Sequence, residues 1–156
     1  MKCNAVSITT GIVLAALMAS TCGAVGIAIQ NTRALSFGSF VAGSAGTVTV
    51  STGDVRSASG GVMLIPSSMS TAAQYTVSGD PNATYTIQLP TNDYVKLTGP
   101  GVDMVLNAFT SSPSGAAGQL DAGGSQTLSV GATLSVGSGQ IPGDYSGSFT
   151  VIVNYN

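Results

Sequence analysis

Hydrolysis and group transfer usually place a general base beside a nucleophile, and this chain of 156 residues contains no histidine and no glutamate. Its carboxylates are Asp54, Asp80, Asp93, Asp103, Asp121 and Asp144. Asp54, Asp80, Asp121 and Asp144 touch glycine or lie in expected turns, where an aspartate bonding its own backbone is the ordinary explanation. A carboxylate pair for glycoside hydrolysis therefore has no distinct support. No G-x-S-x-G elbow surrounds any serine, and Lys96 is the only lysine after Lys2, with no spacing that ties it to a serine. Zinc would lack its usual ligands, because the cysteines are Cys3 and Cys22 alone, and no D-x-D loop marks calcium. The glycines fit neither common phosphate-binding pattern. "LPTND" at residues 89–93 begins like a sorting signal for wall anchoring but has the wrong fifth residue and lies far from the C-terminus. The expectation is a protein with no catalytic residues, no metal and no cofactor.

Charge narrows the partners. Charged residues make up 6% of the chain and the net charge is −2, so there is no basic cluster to neutralise phosphates, and nucleic acid is not an expected partner. Tyr75, Tyr85, Tyr94, Tyr145 and Tyr155 could in principle form a sugar-binding platform. Tyr85, Tyr145 and Tyr155 fall on positions of core parity, which leaves Tyr94, beside Asn92 and Asp93, as the surface aromatic.

Residues 1–24 have the layout of a secretory leader: Lys2, an apolar run "GIVLAALMA" at residues 11–19, then small residues up to Ala24. The run is shorter than the roughly 20 apolar residues that span a bilayer, so cleavage is expected rather than stable insertion. Cys22 and Ala24 satisfy the small-residue rule for cleavage after Ala24, within a window of residues 20–28. Cys3 would leave with the leader, so no internal disulfide is expected in the exported chain.

What positions the remaining residues is a series of short strands. Gly, Pro, Asn or Asp interrupts the chain every eight to twelve residues or so, the spacing of an all-β sandwich. Strands are predicted near residues 34–41, 47–51, 61–66, 74–78, 84–89, 94–98, 102–110, 126–136 and 145–155. The clearest alternation runs through Leu128, Val130, Ala132, Leu134 and Val136. Turns are written in "SGDPN", "TGPG", "DAGG" and "GSGQIPGD", and the stretch at residues 111–118 reads as a mobile loop. One domain is expected over residues 34–156.

Both ends of that domain are unusual. The last strand alternates through Tyr145, Gly147, Phe149, Val151, Val153 and Tyr155, with no sequence after Asn156 to flank it. At the other end Val25, Ile27 and Ile29 form an apolar alternating segment ahead of the first domain strand, set apart by Asn31 and Arg33. "LSFGSF" at residues 35–40, "VGATLSV" at 130–136 and "QIPGDYSGSFTVIVNYN" at 140–156 bracket the domain in an order that resembles archaic chaperone-usher fimbrial subunits of the spore-coat-U-like branch, and a related group of uncharacterised secreted bacterial β-sandwich domains. Two departures stand out: the disulfide of many such pilins is absent, and the N-terminal extension is short.

The resemblance implies an immunoglobulin-like sandwich short of one strand, filled first by a periplasmic chaperone and then, through an outer-membrane usher, by the N-terminal segment of the next subunit in a surface fimbria. Carried onto this sequence, Val25, Ile27 and Ile29 (within residues 25–33) would be donor residues. Leu35, Phe37, Phe149, Val151, Val153 and Tyr155 would flank the receiving groove. The residues alone leave other placements open: residues 25–29 as the domain's own first strand or as the tail of the leader, and residues 145–155 as one strand of a complete sandwich. On those placements the protein would be a self-complete secreted module for surface or carbohydrate binding.

Overall fold

The computed structural model describes residues 25–156, and the leader read in residues 1–24 lies outside them. Ten strands follow in order: β1 (Ala28–Arg33), β2 (Phe40–Val50), β3 (Arg56–Leu64), β4 (Ala73–Ser78), β5 (Thr84–Gln88), β6 (Val95–Leu97), β7 (Met104–Ser112), β8 (Ala117–Gln119), β9 (Ser125–Val136) and β10 (Ile152–Tyr155). No helix occurs among the described residues, every strand pairing is antiparallel, and the protein is an all-β sandwich.

The long strand β9 organises the larger sheet. One of its edges carries β7, while the other is shared end to end by β4, opposite Ser125 to Val130, and β2, opposite Ala132 to Val136. Gly131 sits at the junction, where a Cβ would run into the backbone carbonyl of Val50. β1 pairs with the outer edge of β4, β3 with β2, and β6 with β7; β10, β5 and β8 form the second sheet.

Because β9 serves two neighbours, the core divides into two clusters. Leu128 and Val130 pack with Val77, Tyr85, Ile87, Leu120, Val151 and Val153, closed over by Ile27, Ile29 and Tyr155. Ala132, Leu134 and Val136 pack with Phe37, Val48, Val50, Val62, Val95, Met104 and Leu106. Alternation predicted the β9 face correctly, since all five of its apolar residues are buried. Burial of each full Val or Leu side chain contributes about 1.5–3 kcal/mol.

Boundaries differ from the sequence expectation in several places. The expected strand at 34–41 is mostly not a strand, since residues 34–39 pair only through the isolated bridge of Ser36 to Thr71; its last two residues join the expected 47–51 in one β2 across a bulge between Ala42 and Gly46. Part of the expected loop at 111–118 pairs instead: β7 extends to Ser112, and β8 adds to β5 with Tyr85 opposite Gly118 and Thr86 opposite Ala117. The last strand is shorter than its alternation suggests, with only β10 in a ladder and Ser146 making an isolated bridge to Thr98.

Candidate functional site

The site is a groove of about 920 Å³ between two stretches of chain. One wall is residues 34–42, the other residues 140–149, and the floor is the first core cluster itself, through Val95, Leu97, Met104, Leu106 and Leu134.

The first wall is irregular backbone held by side chains. Ser36 and Thr71 exchange backbone hydrogen bonds at 2.8 and 2.9 Å, and the Thr71 hydroxyl donates to the Ala34 carbonyl at 3.0 Å. Arg56, at the start of β3, then secures the turn: its guanidinium donates to the carbonyls of Phe37 (3.0 Å), Ser39 (3.2 Å), Ile65 (2.8 Å) and Ser68 (3.0 Å). Gly38 must be glycine here, since its φ is +65° and a Cβ would strike that guanidinium and the Met69 carbonyl. The outcome is that Leu35, Phe37 and Phe40 present to the groove from a stretch that makes one bridge to Thr71 before β2 begins.

The second wall depends on Tyr145. Its ring lies over Gly99 and Gly101, where any Cβ would collide with it, and its hydroxyl donates to the Ile141 carbonyl at 2.8 Å. Thr98 and Ser146 exchange backbone bonds at 2.9 and 3.0 Å, and Phe149 packs on Phe109 with ring centroids 5.3 Å apart. Between that bridge and Ile152 the chain is in no strand ladder.

Of the residues predicted to flank a groove, Leu35, Phe37 and Phe149 are brought together in it. Val151, Val153 and Tyr155 are placed elsewhere: Val151 and Val153 are buried in the second cluster, and Tyr155 packs against it. The segment predicted as a donor is at home in this chain. β1 pairs with β4, Ala28 opposite Ser78 and Ile29 opposite Val77, with Ile27 and Ile29 half-buried against the second cluster and Val25 exposed. Sequence reasoning missed Arg56, Tyr145 and the floor residues. The sign for Arg56 was its rarity in a chain with four basic residues, since an arginine in so uncharged a sequence needs a structural task.

A latch pins the end of β1. Asp54, in a left-handed backbone conformation (φ +64°), accepts the Ala72 amide at 2.7 Å and the Arg33 guanidinium at 2.7 Å. The Ala72 amide first, and Arg33 with it, hold the Asp54 carboxyl below the usual carboxylate range. Burial pushes the Tyr85 phenol up, and its hydroxyl donates to Gln126 Oε1 at 2.7 Å. Among the described residues no group of three or more His, Cys, Asp or Glu could hold a metal ion, and no helix is long and apolar enough to cross a membrane.

Residues 27–155 match the domain of unknown function DUF4402. The chain belongs to the DUF4402 family. The match takes in β1, both groove walls and β10, so the DUF4402 domain includes the N-terminal strand as well as the open groove. No curated protein and no solved structure matches the chain.

Proposed function

We propose that this DUF4402 protein is a structural subunit of a surface fimbria, exported through the periplasm, whose groove is filled by the N-terminal segment of a second copy. The observation that supports this reading is the groove itself: two walls with apolar side chains turned inward, a floor made of core residues, and a wall stretch with no strand beside it. An extended segment laid there would pair with backbone and seat alternate side chains. Residues 25–33 suit it, since Val25, Ile27 and Ile29 alternate and β1 occupies a sheet edge, held along one side only.

The energetics favour exchange over simple release. Val25, Ile27 and Ile29 would contribute about 1.5–3 kcal/mol each when fully buried. Ile27 and Ile29 already gain part of that at home, so the net drive comes from covering the partly buried Leu35, Phe40, Tyr145 and Phe149. Head-to-tail transfer of this kind does not close on itself and grows a filament. A groove open on the core invites aggregation, which gives a periplasmic chaperone and an outer-membrane usher their place as partners. No catalytic step and no cofactor enter this reading.

A second reading has its own support. Because β1 completes a sheet of its own chain, the domain could serve as a self-contained exported module for surface or carbohydrate binding, with Tyr94, 79% exposed next to Asp93, as its aromatic contact. Unboiled gels separate the two. Polymerisation predicts ladders from the purified subunit and their loss in Phe40→Arg, with the monomer still folded by circular dichroism. A clean monomer at high concentration, or ladders indifferent to Phe40→Arg, would favour the module.

A further inference from the structure

The two ends of the described chain meet at one point away from the groove. The backbone nitrogen of Val25 donates to Asp80 Oδ1 at 3.0 Å, and the Val25 carbonyl accepts the Tyr155 hydroxyl at 2.7 Å. The same Tyr155 oxygen accepts the Asp80 amide at 2.7 Å, so Val25, Asp80 and Tyr155 close a three-point clasp. Gly79 allows it, because a Cβ there would collide with the Tyr155 hydroxyl.

We propose that the leader is removed between Ala24 and Val25, and that the α-ammonium group so created is held by the Asp80 carboxylate. The chemistry is hydrolysis of one peptide bond by an export peptidase: water adds across the Ala24–Val25 bond, leaving a carboxylate on Ala24 and an amine on Val25 that is protonated at neutral pH. Two independent features agree on the position. Cys22 and Ala24 are small residues at the places a leader peptidase reads, and the structure sets a carboxylate against the one nitrogen that this cut would charge. The amide bond to Asp80 already has an ionised acceptor, and a charged donor makes it an ammonium–carboxylate ion pair, so processing tightens the clasp.

The titratable groups at the clasp are Asp80 and the Tyr155 phenol. Asp121, on the neighbouring turn, aims its carboxylate at the Gly123 and Ser125 amides instead. The clasp belongs to the unexchanged monomer, the form in which it is tested, because residues 25–33 moving to another molecule's groove would take Val25 away from Asp80.

The test is to export the full chain with its own leader and measure the intact mass of the product, then titrate the α-amino group by NMR. The expected results are a first residue of Val25 and a midpoint above the ordinary range of about 7.7–8.0, returning to it in Asp80→Asn. A different first residue, or a midpoint that Asp80→Asn leaves in place, overturns the proposal. If Asp80→Asn does not fold, acylation of the α-amine in chains beginning at Val25 and at Ala24 decides. The Val25 amine should react several-fold more slowly at neutral pH, and equal rates would contradict the assignment.

Discussion

The two core clusters are built from one strand, β9, yet they end differently. Around Leu128 the chain closes on itself: β1 covers the β4 edge, Ile27 and Ile29 reach the cluster, and Tyr155 ties β10 to Val25. Around Leu134 it stays open, with aromatic and aliphatic walls and no strand between them. The N-terminal segment accounts for the contrast, since it is the element that closes one end and the one whose alternation suits the other.

The largest effects should come from probing the two clusters with the same change. Leu128→Ala and Leu134→Ala should each cost about 2–5 kcal/mol in urea unfolding, with Leu128→Ala the more costly. A cavity beside Leu128 is sealed on all sides, whereas the floor of an open groove can relax and admit water. Equal losses would erase the distinction between a closed and an open end. Arg56→Ala comes next, at about 1.5–3 kcal/mol, because it strips charged donors from four carbonyls at the groove wall. Arg56→Lys should recover only part, since an ammonium cannot reach four acceptors in the geometry of a planar fork.

The smallest effect belongs to the latch at the end of β1. The folded-state pKa of Asp54 is depressed, so its contribution is present above the ordinary carboxylate pKa of about 3.9 and is lost as pH falls through the lower folded value. Asp54→Asn, which tolerates the left-handed backbone, should melt below the wild type at pH 6, and the gap should narrow towards pH 3. A gap that does not change with pH would mean the latch acts through shape and not charge.

These contrasts were only partly legible in the sequence. Burial of the β9 face was, because alternation reports which side chains share a face, and Leu128 to Val136 keep it without a break. Backbone pairing was not. Residues 145–155 alternate throughout, but only β10 joins a ladder, since alternation is blind to what lies along an edge. β8 carries three small or polar residues and owes its strand to the neighbouring β5. The groove was half legible: Leu35, Phe37 and Phe149 come from the two alternating ends of the domain, while Leu97, Met104 and Leu106 enter from mid-chain strands whose register no local pattern reveals. The segment at 25–33 was readable as a strand, and its neighbour was not.

The central claim is that residues 25–33 leave β4 of one molecule to fill the groove of another, and a reversible lock tests it most directly. Gln30 and Thr76 are Cα partners across β1 and β4 and lie outside the core, so a cysteine at each should bridge the two strands without emptying it. With the bridge formed, the account predicts that ladders vanish on unboiled gels and return on reduction, while the monomer stays folded in both states. Ladders of equal length with the bridge closed would contradict it, and would mean that the groove is filled by something other than β1.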